Sequence, residues 1–561
     1  METLPSILSD LSLYKEAAFF PTLGQSTIHS LTHIPSQSSI DCGEERGCRK
    51  HDLLVASLLP GGESFSSARC CNLYSFSSGR KRLATSTKSF DFMYLPGKVV
   101  FDISKCLLVA DIVCIKAFYD DQSQHYVVSM GLVKEEGSCF FNIYAASRLN
   151  DLPERCICLS ELAHFPVQAV YTYFISPTSK TLQWAFLLST SGSLPPPFDL
   201  DQDDSNAAPV QVYTKLIDAV LSEVTEKSDG EEEGQQNDSE VPPSTNSADE
   251  TQGHKPATST TVNSVFGVID NASACSLFPE LKNLPLKVVT FMDFLLLLDG
   301  DTHYRMSAFG TLDGWIGVGL VNMAGPELKA FYSTSHDSAI TKLEFFRQFD
   351  QNSTSPSDVS LLVCSGLEPA VVYRCPFQDN PDGGKLAPSS RLVLPQSADF
   401  DHVNCACVAD LDFDGLPEIV VGTFGQQLLF YDWTSDPHSP TEGSYVLVHQ
   451  RRMVGAVHSL ECGGECDFLG DGTRCIAVLT SLGLHLLQCS HLADFCVPLL
   501  AARLRSLPPN FRESVVRCWY IGTYFASTPS VRQTISTNEE AVLYSVWLYC
   551  TALYGLSSKL N

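Results

Sequence analysis

A repeated pair of apolar runs constrains the fold of this chain more than any other feature. Each unit consists of a short apolar run, a turn of small residues and a second apolar run. In the C-terminal half the units begin at Met306, Leu361, Ile419 and Ile476, at intervals of 55, 58 and 57 residues. An interval of this size is typical of one four-stranded β-propeller blade with its loops. The sequence therefore predicts an all-β propeller.

The N-terminal half carries the same unit in a weaker form, beginning at Leu53, Tyr126 and Trp184. Tyr126 and Trp184 are 58 residues apart, and Trp184 and Met306 are 122 residues apart, or about two intervals. Three early units and four late ones predict seven blades. The strand that closes the ring can come from either terminus, and the sequence leaves this open.

Acidic residues are concentrated between the two halves of the repeat. The net charge is −27, and Asp199–Glu250 holds 15 acidic residues against Lys215 and Lys227. Such a segment buries too little apolar surface to fold, so we predict a disordered acidic insertion over residues 199–262. Within it, apolar residues of Val210–Val224 recur at helical spacing, which predicts either a docking helix or a transient helix in a linker.

These patterns divide the chain into five parts. We expect a poorly defined N-terminal segment at 1–45 and a C-terminal segment at 506–561 that follows no readable pattern. Between them, the propeller blades occupy 46–198 and 263–505, separated by the insertion.

The stretch Asp410–Glu418 carries carboxylates in the order expected of a cation loop. Hard cations such as Ca²⁺ take six to eight oxygen ligands from such a loop. The last carboxylate comes earlier than in an EF-hand, and a strand follows it. Both features are typical of the cation loops in integrin-α propeller blades. The alternative is that these carboxylates cap backbone N–H groups without an ion. The predicted ligands for Ca²⁺ or Mg²⁺ are Asp410, Asp412, Asp414, the carbonyl of Leu416 and Glu418.

The next repeat contains a degenerate copy of this loop at Asp467–Cys475, with two aspartates remaining. Two carboxylates are too few for Ca²⁺. We therefore predict that the ion is not a general requirement of the fold.

The chain has 21 cysteines and no signal-peptide pattern, which predicts reduced thiols in the cytoplasm. One set, His458, Cys462, Cys466 and Cys475, could be taken as zinc ligands. Its spacing fits no zinc motif, so we interpret these residues, and also Cys405 and Cys407, as core residues.

No nucleotide-binding, esterase or metalloprotease motif is present, which argues against an enzyme. An enzyme that uses the central channel remains an alternative, and polar groups with shifted pKa values in the channel would favour it. The mildly acidic body argues against nucleic-acid binding. The densest basic cluster is Arg80–Arg82 with Lys88. We interpret it as a solvated loop, or alternatively as a small face for acidic F-actin.

Several motifs together resemble the kaptin family. They lie in the family's order, from Leu277–Leu281 through Gly366–Arg374 and Asp410–Glu418 to Gly425–Tyr431, and Phe141–Tyr144 also fits. The resemblance implies FG-GAP-like repeats and a non-catalytic scaffold subunit of a KICSTOR-like complex. That lysosome-associated complex recruits a negative regulator of amino-acid- and glucose-sensitive TOR kinase signalling.

The implied partners are a second FG-GAP-type propeller and a very large scaffold subunit. No cofactor is required, and contact with the lysosomal membrane would be indirect. The alternative implied by the family is association with actin filaments at cell edges and stereocilia. The chain departs from the family in its longer acidic insertion and in lacking a basic helical tail after Arg505.

Overall fold

The computed structural model describes a large part of the chain. The described residues are 14–21, 26–35, 40, 51–58, 71–76, 98–102, 110–134, 136–192, 208–216, 266–299, 302–349, 353, 355–374, 391–411, 415–436, 439–462, 468 and 475–489.

Within these residues 28 strands form seven four-stranded sheets. We number the sheets along the chain by their first strands. Sheet 1 contains β2 (Leu31–Pro35), β3 (His51–Leu58), β4 (Cys71–Phe76) and β5 (Lys98–Asp102). Sheet 2 contains β6 (Ala110–Asp120), β7 (His125–Lys134), β8 (Cys139–Ala146) and β9 (Cys156–Leu162). Sheet 3 contains β10 (Pro166–Ile175), β11 (Leu182–Thr190), β12 (Val210–Lys215) and β13 (Phe266–Val268).

The remaining sheets follow the same order. Sheet 4 contains β14 (Val289–Asp299), β15 (Thr302–Thr311), β16 (Trp315–Asn322) and β17 (Glu327–Ser335). Sheet 5 contains β18 (Ile340–Arg347), β19 (Val359–Ser365), β20 (Val371–Arg374) and β21 (Arg391–Val393). Sheet 6 contains β22 (Val403–Ala409), β23 (Glu418–Thr423), β24 (Gln427–Asp436) and β25 (Ser439–Arg452). Sheet 7 contains β26 (Val457–Glu461), β27 (Cys475–Thr480), β28 (Gly483–Cys489) and β1 (Tyr14–Pro21).

The first strands of the sheets contact one another in a closed circuit. The circuit runs β2, β6, β10, β14, β18, β22 and β26, and β26 returns to β2. A ring of four-stranded sheets whose first strands surround a common axis is a β-propeller. The prediction of an all-β propeller is therefore confirmed.

The repeat found in the sequence corresponds to the second and third strands of each sheet. The units at Met306, Leu361, Ile419 and Ile476 lie in β15, β19, β23 and β27. Every residue of β19, β23 and β27 is buried, because these strands pack between neighbouring sheets on both faces. Each fully buried Val, Leu or Ile contributes roughly 1.5–3 kcal/mol, so these strands carry much of the core.

The N-terminal segment supplies the strand that completes sheet 7. Strand β1 pairs with β28, and Glu16 Oε1 lies 2.5 Å from His485 Nδ1. The segment 1–45, left undefined by the sequence, thus contains β1 and β2. Neither strand was predicted.

Part of the acidic insertion is a strand. Val210–Lys215 forms β12 and pairs with β11 and β13, so the helix predicted from Val210 is wrong over these residues. Val210, Val212, Tyr213 and Thr214 are all buried, so both faces of this strand are covered. Most of 199–262 lies outside the described residues, as does 506–561.

One short α-helix, α1 (Asn271–Leu277), precedes sheet 4, and its N-terminus is capped by the Asp270 side chain. Short 3₁₀ turns are found at Leu149–Glu154, Pro279–Asn283 and Pro356–Asp358. No helix in the described part of the chain is long and apolar enough to cross a membrane.

By its internal contacts the chain divides into two units. Residues 16–487 form one unit, which contains the propeller. The other unit comprises residues 1–15 and 488–561, and only its residues at the ends of β1 and β28 are described.

Candidate functional site

A polar cavity lies along the axis of the propeller. Residues from all seven first strands, or from the loop just before β2, line it. The space open to the centres of water molecules is about 100 Å³, which suits several waters rather than a sizeable metabolite. Its lining includes His29, Lys116, Gln168, Asp293, Lys342, Asn404 and Glu461.

Two ionisable side chains that line the cavity, Lys342 and Glu461, each form a close pair with a residue beside it. Lys342 Nζ lies 3.2 Å from Glu344 Oε2, within the single strand β18. His33 Nδ1 in β2 lies 3.0 Å from Glu461 Oε2 in β26, which joins sheet 1 to sheet 7. A charge removed from water needs such a partner, and each pair supplies it.

Two carboxylates, Asp293 in the cavity and Glu344 beside it, accept backbone N–H groups from the following sheet. Asp293 Oδ2 in β14 accepts from Phe345 N in β18 at 2.7 Å. Glu344 Oε1 in β18 accepts from Val408 N in β22 at 3.3 Å. The two bonds occupy equivalent places one sheet apart and therefore join sheet 4 to sheet 5 and sheet 5 to sheet 6.

Neutral side chains make the same kind of connection. Gln168 in β10 makes two bonds to Met292 in β14, accepting from its N–H at 2.6 Å and donating to its carbonyl at 3.3 Å. Further donors to the backbone of the next sheet are Thr290 to Ile340 (2.6 Å), Thr341 to Val403 (2.8 Å) and Asn404 to Val457 (2.7 Å). These bonds hold the first strands together around the axis.

The pKa values in the cavity follow from burial and from opposite charges. Burial opposes the charged form of Glu461, but His33, Lys116 and Lys342 outweigh burial and lower its pKa to about 2. Burial likewise opposes the charged form of Lys342, but nearby carboxylates, Glu344 first, raise its pKa. For Asp293 and Glu344 burial dominates and raises both pKa values.

His29 lines the cavity and is only partly exposed to solvent. Burial, together with the charge of Lys342, lowers its pKa to about 3. Its Nε2 atom is buried and has no hydrogen-bond partner among the described residues. Its ring lies 5.5 Å from that of Phe291.

Thiols near the axis are not activated. Burial raises the pKa of Cys114 and of Cys364 to about 12 and also raises that of Cys405. A thiol with a raised pKa is a poor nucleophile. The cavity therefore has the shifted pKa values that we expected of a catalytic channel, but its carboxylates are bonded to backbone groups or to cations of the ring itself. We interpret the cluster as structural.

The Asp410 loop is described at its two ends. Glu418 lies in β23, is 4% exposed, and its Oε2 accepts a hydrogen bond from Leu411 N. Gly415 adopts a φ of 94°, a left-handed conformation that glycine favours. The Glu418 carboxylate thus caps a backbone N–H, as in the alternative without an ion. Asp412 and Asp414 lie outside the described residues, so the cation site stays a prediction.

The described residues contain no group of three or more His, Cys, Asp or Glu side chains that could hold a metal ion. The degenerate copy at Asp467–Cys475 lies largely outside them. So do Cys466 of the zinc alternative and the basic cluster Arg80–Arg82 with Lys88.

The cysteine prediction is wrong at one pair. Cys407, in β22, forms a disulfide with Cys462, which follows β26. Both residues are buried, as expected of core cysteines, but they are oxidised rather than free. The pair joins sheets 6 and 7 at adjacent first strands, an arrangement that sequence spacing cannot show.

Sequence reasoning missed the residues of the cavity. A signal was present in β18, where Lys342 and Glu344 alternate with apolar Leu343 and Phe345. The alternation places one side of the strand in the core and the other on the axis. Because the first strands had not been recognised, this alternation was not interpreted.

The fold and the cavity define a β-propeller whose axial polar residues join its sheets. Residues 269–496 match the model of a family described as KICSTOR complex protein kaptin. KICSTOR complex protein kaptin from Mus musculus is 33% identical over 217 residues, which are 38% of this chain and 47% of that relative. The matched region spans about half the length of that relative. Residues 269–496 are therefore similar to the kaptin family, and the resemblance predicted from the motifs is confirmed.

Several solved structures resemble the chain at low sequence identity. BBS1N in complex with ARL6DN is 10% identical with a TM-score of 0.40, over 85% of this chain and 97% of that one. Sqt1 from Chaetomium thermophilum, bound to the N-terminus of ribosomal protein L10, is 12% identical with a TM-score of 0.40, over 85% and 100%. Sqt1 from Saccharomyces cerevisiae is 8% identical with a TM-score of 0.38, over 84% and 98%.

Proposed function

We propose that this chain is a non-catalytic scaffold subunit of a KICSTOR-like complex. In this role it helps to recruit a negative regulator of TOR kinase signalling to lysosomes. The propeller is of the integrin-α type, with each of its seven sheets as one blade. Its partners are a second FG-GAP-type propeller and a very large scaffold subunit, and these partners supply the membrane contact.

The observation that carries the proposal is the kaptin-family match over residues 269–496. It spans α1, sheets 4 to 6 and strands β26 to β28, so it includes a continuous arc of the ring. The cavity supports the same conclusion, because the axial carboxylates Asp293 and Glu344 are engaged with the backbone of neighbouring sheets. A rigid ring with wide outer faces is suited to hold partners.

Affinity purification of the tagged full chain at physiological salt, followed by mass spectrometry, tests the proposal. We expect stoichiometric recovery of a second FG-GAP-type propeller and a very large scaffold protein, with the tag alone as control. Recovery of actin and its regulators without those subunits would overturn the proposal. That result would favour the actin-associated alternative, for which cosedimentation with purified F-actin is the direct measurement.

A further inference from the structure

In the sheets whose loops are described, one face of the propeller carries two kinds of loop. Because strand direction alternates, the loop entering a first strand and the hairpin between the second and third strands lie on the same side. We call this side the upper face. Hydrogen bonds join the two kinds of loop in sheets 4 to 7: Leu312 N to Val288 O (3.0 Å), Gly366 N to Ala339 O (3.0 Å), Phe424 N to His402 O (2.8 Å) and Ser481 N to Ala456 O (3.0 Å).

Large apolar side chains are exposed in the hairpins of this face. Each of four successive hairpins presents one such side chain, at the first residue after the second strand in sheets 4 and 6 and at the second residue in sheets 5 and 7. In sheets 4 to 7 these are Leu312 (53% exposed), Leu367 (78%), Phe424 (54%) and Leu482 (47%). We call these four residues the apolar arc. The matching hairpin of sheet 2 is polar, with Lys134, Glu136 and Ser138, so the arc belongs to the kaptin-like part of the ring.

The loops in the middle of the arc are acidic, and the neighbouring cation is Arg391 in β21, whose charge acts on His336 and Tyr373. Four loops surround Leu367 and Phe424 there, at residues 335–339, 366–370, 394–402 and 424–426, and they contain no Lys or Arg. They carry four carboxylates: Asp337, Glu368, Asp399 and Asp401. Asp337, Asp399 and Asp401 are exposed, whereas Glu368 Oε2 lies 2.7 Å from His336 Nδ1.

Leu367 and Phe424 lie on either side of His402. A Cβ placed on Gly366 would be 2.3 Å from His402 Nε2, so the imidazole packs directly against the backbone before Leu367. The His402 carbonyl accepts the N–H of Phe424 at 2.8 Å. The ring is fixed by a 2.9 Å hydrogen bond between its Nδ1 and Asn404 Oδ1. The backbone before Leu367 and the backbone of Phe424 therefore both contact His402, which places the two hairpins next to each other.

We propose that Leu367, Phe424 and the surrounding carboxylates bind a partner segment that carries two apolar side chains flanked by Lys or Arg. Burial of the two apolar side chains supplies affinity, and the opposite charges supply specificity and a faster association rate. A second copy of this chain is disfavoured because two acidic faces repel each other. The source of the segment, one of the two scaffold partners, rests on the proposed function.

A random peptide display library tests the chemistry without any named partner. The full chain is the bait, and we expect enrichment of peptides with two apolar residues and adjacent Lys or Arg. The affinity of a synthetic enriched peptide should fall at least about tenfold in Leu367→Ser and in Phe424→Ser. It should also fall in the triple variant Asp337→Asn/Asp399→Asn/Asp401→Asn, and with rising salt.

Leu298→Ser is the control, because Leu298 is about as exposed (53%) as Phe424 (54%) but lies at the end of β14, on the opposite face. It should bind the peptide like the parent chain. The proposal would be overturned if the library yields no peptide or only acidic peptides. It would also be overturned if Leu367→Ser and Phe424→Ser leave the affinity of the enriched peptides unchanged.

The same variants in the reconstituted complex separate the two proposals. If the parent chain assembles with the two scaffold subunits and Leu367→Ser does not, both proposals are supported. If assembly is unaffected by the upper-face variants but lost in Leu298→Ser, the upper-face proposal is wrong and the scaffold role stands. If the parent chain does not assemble at all, the scaffold role is wrong. The peptide measurements alone then test whether the upper face binds the proposed segment.

Discussion

Arg305 and Glu280 form a buried, two-pronged ion pair between β15 and the turn that precedes sheet 4. Arg305 Nε lies 2.9 Å from Oε1 and Nη2 lies 3.0 Å from Oε2, and neither side chain is more than 1% exposed. Arg305 also donates to the carbonyls of Tyr173 and Leu277, at 3.0 and 3.1 Å, and lies 4.3 Å above the ring of Phe278. The guanidinium thus joins sheet 3, helix α1 and sheet 4.

Replacing Glu280 by Gln should destabilise the propeller by about 3–5 kcal/mol, because it leaves the charge of Arg305 buried without its counter-ion. The measurement is the midpoint of chemical denaturation. Glu327→Gln is the control, since Glu327 forms an ion pair with Lys329 at the surface, where such pairs contribute about 0–1 kcal/mol. Equal midpoints for the two variants would show that the buried pair does not contribute as proposed.

The motif around Glu280 was recognisable in the sequence, but its structural role was not. Leu277–Leu281 was noticed as part of a family resemblance, but the role of Glu280 became clear only with its partner, 25 residues later in β15. Continuous apolar strands such as β19 and β23 were detected because both of their faces are buried. First and outer strands mix polar and apolar residues, so apolar runs alone did not reveal them.

The disulfide between Cys407 and Cys462 should contribute about 2–4 kcal/mol, since it closes a chain segment of 55 residues between two sheets. A reductant should therefore lower the melting temperature of the parent chain. The double variant Cys407→Ser/Cys462→Ser should melt at one temperature with or without reductant. Cys405→Ser, which removes a neighbouring free thiol, should keep the response. If both Cys407 and Cys462 react with an alkylating agent without reductant, the prediction is wrong.

His29 should make the protein sensitive to mild acid. The ordinary pKa of a histidine is 6.5, whereas the pKa of His29 in the folded chain is about 3, because burial disfavours the cation. Below about pH 6.5 the unfolded chain takes up this proton and the folded chain does not, so stability falls as pH falls, until the folded pKa is reached. The slope from this one group is at most about 1.4 kcal/mol per pH unit.

Denaturation midpoints of the parent chain and of His29→Gln, between about pH 7 and about pH 5, measure this effect. The variant should lose less stability over that range than the parent chain. His164→Gln, at a partly exposed histidine before β10, is the control and should follow the parent chain. Parallel curves for the parent chain and His29→Gln would assign the acid sensitivity to other groups.

The axial cavity was not predicted, because the residues that form it are far apart in the sequence. Gln168 and Met292 are 124 residues apart, and His33 and Glu461 are 428 residues apart. Only closure of the ring brings them together. By contrast, the Asp410 loop was found because its carboxylates are local, and local patterns are what a single sequence displays.

Calcium should raise the melting temperature of the parent chain if the Asp410 loop binds the ion. At a free concentration about 100 times the dissociation constant, a single site adds roughly 2.7 kcal/mol of stability. The ion would require Glu418 to bind it while Oε2 accepts the Leu411 N–H, which a carboxylate with two oxygens allows. Asp412→Ala should abolish the rise, whereas Asp467→Ala, in the degenerate copy, should keep it. If calcium leaves the melting temperature of the parent chain unchanged, Glu418 acts only as a backbone cap, and the loop stabilises β23 without an ion.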